Sequence, residues 1–211
     1  MRSKYIIGID EVGRGSLAGP VVVAAVAATK YQISSIKYQA RKIKLPLKDS
    51  KKLSPKQREI WFEYIKKHPK IFYAISLISP KIIDKINISN AANLAATKAF
   101  KKLLKKKKNI SASTSGSRIF LDGGLYLITS SKYKVISSNV KTIIKGDEKI
   151  SAISLASIVA KVHRDKIMKK FHKKYPHYDF INNVGYGTKK HIKAIKKHGH
   201  TPIHRKSFKI K

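Results

Sequence analysis

The chain has 211 residues, 47 of them Lys or Arg against 11 Asp or Glu, for a formal charge of +36. With 42% apolar residues it can bury one core, which excludes disorder throughout, and no apolar run approaches the roughly 20 residues of a membrane span. Without cysteine there is no disulfide framework and no thiolate zinc site, and with no basic-then-apolar leader a cytosolic protein is expected.

Tyr5 to Ile9 reads as a strand that delivers Asp10 and Glu11 to a glycine-rich bend, Gly13-Arg14-Gly15, and Val21 to Ala28 as a second, buried strand. Residues 30 to 53, polar and basic around Pro46, are expected as an exposed loop. Ser54-Pro55-Lys56-Gln57 supplies an N-cap, a proline at the first helical position and a capping box for a helix that buries Trp61. Ile71 to Ile78 is a strand, and Ser79-Pro80 repeats the capping signal for a short helix. Ala91 to Leu104 is an alanine-rich helix with a basic end, Lys101-Lys102 and Lys105 to Lys108, expected to be solvated.

After a flexible connection at Asn109 to Ser117, Arg118 to Leu121 forms a brief strand running into Asp122-Gly123-Gly124. Tyr133 to Ile136 and Thr142 to Ile144 are further strand candidates, the second ending near Gly146-Asp147. Ala152 to Phe171 is the longest helix, with small residues on its buried stripe that permit close approach. From Tyr175 the tail is rich in His, Lys and aromatics, and Gly185-Tyr186-Gly187-Thr188 precedes a basic helix from Lys189 to Lys197.

A surface this cationic attracts polyanions and releases counterions on binding nucleic acid, which makes nucleic acid the leading partner class. Charge alone names no function, because 40 of the 47 basic residues are Lys in an Ile- and Asn-rich chain, as codon bias also produces. The acids carry more information. Glu59 and Glu63 sit one turn apart on a polar face and Asp84 lies in a short polar helix, where solvation or pairing is expected.

Asp10 beside Glu11 at a strand end is electrostatically costly, since neighbouring carboxylates raise each other's pKa unless a cation neutralises them. Asp122 and Asp147 stand at the ends of two other candidate strands, so one twisted sheet can bring all four to a common edge. Oxygen donors without Cys, and without a His pair at ligand spacing, suit Mg²⁺ or Mn²⁺ rather than zinc. In phosphodiester chemistry two such ions, roughly 4 Å apart, activate the attacking water and stabilise the leaving oxygen. Taken singly, Asp122 before two glycines is equally a turn signal, and Asp147 equally a cap. A dinucleotide loop is rejected: Gly13, Gly15 and Gly19 lack the G-x-G-x-x-G spacing, and two carboxylates before the bend repel a pyrophosphate.

The segment Gly8-Ile9-Asp10-Glu11-Val12-Gly13-Arg14-Gly15-Ser16-Leu17-Ala18-Gly19-Pro20 resembles the type 2 ribonuclease H family, specifically ribonuclease HII. Asp49-Ser50-Lys51-Lys52-Leu53, Asp122-Gly123, Lys145-Gly146-Asp147, Ala156-Ser157-Ile158-Val159-Ala160-Lys161-Val162 and Arg164-Asp165 extend the resemblance in order along the chain. Gly185 to Lys189 with His191, and Pro202-Ile203-His204-Arg205 with Ser207-Phe208, carry it to the tail. Val12 replaces a more usual alanine, Ser16 a frequent proline and Gly124 a common asparagine. Arg14 in the bend favours type HII over HIII, which usually has lysine there.

The resemblance implies an α/β, ribonuclease H-like mixed sheet flanked by helices, with residues 1–172 as the catalytic domain and 173–211 as a small helical substrate-binding extension packed on it. It implies a monomeric two-metal endoribonuclease, using Mg²⁺ or Mn²⁺, that acts on RNA/DNA hybrids and on DNA duplexes containing ribonucleotides. Family members cut 5′ of a single embedded ribonucleotide and leave 3′-hydroxyl and 5′-phosphate ends. Carried over by position, Asp10, Glu11, Asp122 and Asp147 are the metal ligands, and Glu148 is a second acid beside the fourth of them. Gly13, Arg14 and Gly15 match the segment that reads the 2′-hydroxyl through its backbone, and Tyr186 the tyrosine that stacks at the RNA–DNA junction. Lys51 and Lys52 are then phosphate contacts, with Ser50 beside them. His172, His177, His198 and His200 are expected as solvated surface, and His204 with Arg205 as a structural tail contact no less than a substrate contact. Two rivals remain at this point: a junction resolvase of the same fold, and a non-catalytic basic nucleic-acid-binding protein.

Overall fold

The computed structural model describes residues 5–47, 50–106, 116–128 and 139–210. Strand β1 (Tyr5–Val12) pairs antiparallel with β2 (Val21–Thr29), which pairs antiparallel with β3 (Phe72–Ile78). On its other side β1 runs parallel to β4 (Arg118–Asp122), and β4 parallel to β5 (Val140–Ile143), giving the order β3-β2-β1-β4-β5. The expected strand at Tyr133 to Ile136 and most of the connection from Asn109 lie outside the described residues. The register already positions the chemistry. Ile9 faces Leu121, so Asp10 and Asp122 follow side by side at the carboxyl ends of neighbouring parallel strands.

The helices are α1 (Lys30–Lys42), α2 (Pro55–Lys67), α3 (Pro80–Ile86), α4 (Ile88–Lys106), α5 (Gly146–Lys149), α6 (Ser151–Lys174), α7 (Phe180–Asn183) and α8 (Lys189–His198). Val21, Val23, Ala25 and Ala27 of β2 share a core with Ala92, Ala95, Ala96 and Ala99 of α4. Val22, Ala24, Val26 and Ala28 share the opposite core with Trp61 of α2 and Leu155 and Val159 of α6. A strand covered on both faces has no polar side to show, which is why β2 reads as one apolar run.

Where a loop was expected after β2, the chain forms α1. Thr29 and Gln32 close a capping box, and only Gln32, Ile36 and Ala40 are buried, a stripe one residue wide at i, i+4, i+8 spacing. So narrow a stripe among Lys, Ser and Gln gives a weak periodic signal. The described lysines at the basic end of α4 are exposed, as expected, and two of them also bond the sheet. Lys102 Nζ donates to the Ile75 carbonyl at 3.2 Å and Lys106 Nζ to the Tyr73 carbonyl at 3.0 Å, so these lysines cover free acceptors on the edge strand β3. That blunts an edge which would otherwise invite another strand.

Helix α6 lies directly on β1 because Gly8 has no side chain. A Cβ there would sit 2.1 Å from the Ala152 carbonyl carbon, a contact with backbone that cannot move aside. Gly8→Ala is therefore expected to push α6 off the sheet and destabilise the fold by about 3 kcal/mol, read as a shifted urea midpoint at unchanged slope. Beyond α6, Tyr178, Phe180, Ala194, Ile195 and Ile203 form a third core with Met168 of α6 and Ala18 of the loop after β1. Position 172 falls inside α6, which runs on to Lys174.

Candidate active site

Strands β1 and β4 deliver Asp10, Glu11 and Asp122 to one point, where a carboxylate oxygen from each lies within 4.8 Å of the others. Asp10 is buried, and burial together with the charges of Glu11 and Asp122 pushes its pKa well above the usual carboxylate range. Burial also raises Glu11, against the pull of Arg14, whose Nη1 lies 3.2 Å from Glu11 Oε1. The other Glu11 oxygen, Oε2, is buried without a hydrogen-bond partner among the described residues. Three crowded acids, one with an orphaned buried oxygen, are the donor set a divalent cation requires: hard, anionic and short of positive charge.

Asp147 stands in the first turn of α5, entered through Lys145 in a left-handed conformation at φ 54°. Its carboxylate is close enough to raise the Asp10 pKa but does not belong to the three-acid group. Its carbonyl accepts from Ser154 Oγ at 2.6 Å, and the Gly146 N–H donates to Asp122 Oδ1 at 2.7 Å, so α5 is fastened at the edge of the cluster. Glu148 points elsewhere. It is exposed and pairs with Lys52 Nζ at 2.7 Å, which lowers its pKa, whereas Asp147 is buried.

The glycine bend is built by two buried arginines. Arg205 donates to the carbonyls of Gly13 at 2.6 Å, Arg14 at 2.9 Å and Gly19 at 2.9 Å. Arg164 donates to the carbonyls of Pro20, Val184 and Ala18. Gly13 is at φ +88° and a Cβ there would meet the Arg164 guanidinium at 2.2 Å, so the bend admits no side chain at that position. The amides of Leu17 and Ala18 bond the Gly185 carbonyl, which brings Tyr186 against the bend; a Cβ on Gly15 would lie 4.0 Å from the Tyr186 ring. Tyr186 is 39% exposed, with the Arg164 guanidinium 6.0 Å from its ring centre.

Of the residues expected to touch substrate, Arg14 and Gly15 lie on the open side of the bend with Tyr186 near Gly15, Gly13 is buried behind them, and Lys51 and Lys52 are exposed on the short helical turn Ser50–Lys52. Ser50 departs from expectation. It is buried, its Oγ 2.7 Å from Ser157 Oγ, and Ser157 in turn lies close enough to Asp10 to favour its charged form, so Ser50 sits behind the carboxylate cluster rather than in solvent. Asp49 lies outside the described residues. The sequence placed Ser157, Arg164 and His191 only within family-like segments and gave them no role, whereas His204 and Arg205 make the structural tail contact expected of them. A signal existed for Arg164: it falls at i+4 from Ala160 and i−4 from Met168, a charge inside an apolar stripe.

The family model for ribonuclease HII matches residues 7–211. The chain belongs to the ribonuclease HII family. It is 46% identical to the ribonuclease HII of Endomicrobium trichonymphae over 203 residues, covering 96% of this chain and 84% of that one. It is 44% identical to that of Clostridium beijerinckii over 208 residues, covering 99% and 68%. The fold matches ribonuclease H2 from Pyrococcus horikoshii OT3 with a TM-score of 0.72 at 25% identity, covering 98% and 94%. It also matches a ribonuclease HIII crystallised with Mn²⁺, at a TM-score of 0.68, 19% identity and coverage of 98% and 67%. As a ribonuclease HII-type protein the chain is a metal-dependent endoribonuclease of RNA/DNA hybrids with a ribonuclease H-like fold, which disposes of the non-catalytic rival. No described helix is long and apolar enough to cross a membrane.

Proposed function

We propose that this ribonuclease HII-type enzyme incises duplex DNA on the 5′ side of a single embedded ribonucleotide, as well as RNA tracts in hybrids, leaving 3′-hydroxyl and 5′-phosphate ends. The observation that carries the reading is the proximity of the Tyr186 ring to Gly15 of the bend that follows the three-acid cluster in the chain. Only the 2′-hydroxyl distinguishes RNA from DNA at one nucleotide, and a bend of glycines lets backbone groups approach it closely. An exposed aromatic ring against that bend offers a stacking face for the adjoining deoxynucleotide.

Asp10, Glu11, Asp122 and Asp147 would hold Mg²⁺ or Mn²⁺. A divalent pair there would supply an activated water and charge neutralisation at the leaving oxygen. The protein's own part is placement. Ser157, backed by Ser50, lies close enough to Asp10 to favour its charged form, while Arg14 holds Glu11. Lys51 and Lys52 would bind backbone phosphates; the exposed Lys52–Glu148 pair is weak enough in water to exchange for a phosphate. Residues 173–211 would act as the substrate-binding extension, and a monomer suffices because every group named belongs to one chain.

A labelled duplex with one ribonucleotide tests this directly. Purified protein with Mg²⁺ or Mn²⁺ is expected to yield a single 5′-side product with a 3′-hydroxyl that a polymerase extends. Glu148→Gln is expected to retain turnover while Asp147→Asn loses it; the reverse result would reassign the fourth ligand. Cleavage of branched all-DNA substrates in place of the ribonucleotide duplex would favour the resolvase reading.

A further inference from the structure

The mechanism so far leaves two buried histidines without a task. His191 of α8 and His204 of the tail are 0% and 3% exposed, with Nε2 atoms 3.0 Å apart. The backbone N–H of Thr201 points at His204 Nδ1 from 2.9 Å, so that nitrogen must be an acceptor and carries no proton. The proton of neutral His204 is therefore on Nε2 and is donated to His191 Nε2. His191 then carries its own proton on Nδ1, which lies 2.8 Å from the Tyr186 carbonyl. Every hydrogen in the row is fixed: Thr201 N–H to His204, His204 to His191, His191 to the main chain of Tyr186.

The surroundings keep both rings neutral. Tyr178 and Phe180 pack against the pair, with ring centres 5.0 Å from His204 and 5.3 Å from His191 respectively, and His200 lies 5.3 Å from His204. Burial, then the neighbouring His191 and His200, push His204 down to about 4, and burial lowers His191. A proton added to His191 Nε2 would face the His204 N–H, and one added to His204 Nδ1 would face the Thr201 N–H. The same tail segment supplies Arg205, whose guanidinium gathers the bend carbonyls.

We infer that the His204–His191 pair is a positioning relay that sets Tyr186 against the Gly13–Gly15 bend and so tunes recognition of the RNA–DNA junction. Neither histidine touches substrate; each acts through the Tyr186 main chain, whose N–H is held by the Asn183 carbonyl and whose carbonyl also accepts from Thr188. The inference rests on the reading of Tyr186 as the junction-stacking residue.

The experiment compares kcat and KM on a single-ribonucleotide duplex and on a uniform RNA/DNA hybrid for native protein, Tyr186→Ala, His191→Phe, His191→Asn and the double variant Tyr186→Ala/His191→Phe. His191→Phe keeps the ring volume and deletes the relay; it is expected to raise KM for the single-ribonucleotide duplex about tenfold, as loss of one positioned hydrogen bond allows, with kcat and hybrid cleavage unchanged. His191→Asn keeps a donor near the Tyr186 carbonyl and is expected to restore most of the loss. Added to Tyr186→Ala, His191→Phe is expected to cost nothing more. Nitrogen-15 imidazole spectra at neutral pH should show His204 bare at Nδ1 and His191 protonated there.

If Tyr186→Ala loses the junction preference while a folded His191→Phe keeps it, the relay is wrong and the tyrosine reading stands. If Tyr186→Ala keeps the preference, that reading fails and takes the relay with it. Equal losses of kcat on both substrates would mark the histidines as general scaffolding, and the opposite tautomers would remove the relay outright.

Discussion

Asp10→Asn is expected to cut turnover about a thousandfold, the equivalent of roughly 4 kcal/mol of transition-state stabilisation, while binding a ribonucleotide-containing duplex as tightly as the native protein or more so. Asp10 is the most deeply buried of the three clustered acids and the one whose pKa the other two raise. Asn preserves its shape: Oδ1 can still accept from the Glu11 N–H, which the carboxylate does at 2.7 Å. Only the charge goes. A cation-binding role predicts lost turnover with retained affinity, because the substrate is a polyanion and one repelling charge has been removed.

The same change is expected to raise the melting temperature of the metal-free protein. A carboxyl whose pKa is higher folded than unfolded keeps its proton in the native state over a range where the unfolded chain has released it, so stability falls as pH rises through that window. For Asp10 the window opens at its ordinary value of 3.8 and ends at the raised folded value. Above it the anion is a standing cost to the fold, which Asn removes, giving about 2–4 °C for each kcal/mol recovered at this chain size. Mn²⁺ or Mg²⁺ should offset the same cost in the native protein and raise its melting temperature, and do so less in Asp10→Asn. A metal-free variant that melts below the native protein, with no metal-induced gain in either, would mean that the acids are not held in mutual repulsion.

The acid pair at the end of β1 was legible because it breaks a rule of cost: two adjacent carboxylates need a reason. Asp122 was legible only as a candidate, since Asp-Gly-Gly also writes a turn, and it took the Ile9–Leu121 register to place it beside Asp10. β2 and α2 declared themselves through an unbroken apolar run and a full capping box. α1 did not, because three buried side chains in thirteen leave little periodicity. His204 and Arg205 were legible only as a tail contact, without what they hold in place. Their roles depend on partners such as Gly19, 186 positions from Arg205, and a contact that distant leaves no trace in spacing. Ser50 shows the same limit in reverse: its neighbours Lys51 and Lys52 are exposed, and only α6 packing turns it inward onto Ser157.

Arg205→Met is expected to destabilise the fold by about 3–5 kcal/mol, a drop of roughly 6 to 20 °C in melting temperature, and to weaken duplex binding well below that temperature. Methionine approximates the length of the side chain and fills its space, so the loss isolates the donors. Burial, and Arg164 beside it, push Arg205 down to about 9, which leaves it charged at neutral pH with its N–H groups committed to the carbonyls of Gly13, Arg14 and Gly19. Without them those acceptors, at the buried back of the bend, have no replacement donor that water can easily supply in so enclosed a place. Arg205→Lys is expected to recover little, since one ammonium cannot span three carbonyls that a planar fork reaches together. Because Glu11 lies two residues before Gly13 and Arg14 of the bend holds Glu11, the damage should appear as a raised KM for the duplex before it appears as unfolding. Near-native stability and KM in Arg205→Met would mean that the bend keeps its shape without the arginine, and that backbone contacts such as Gly19 N–H to the Ile203 carbonyl suffice.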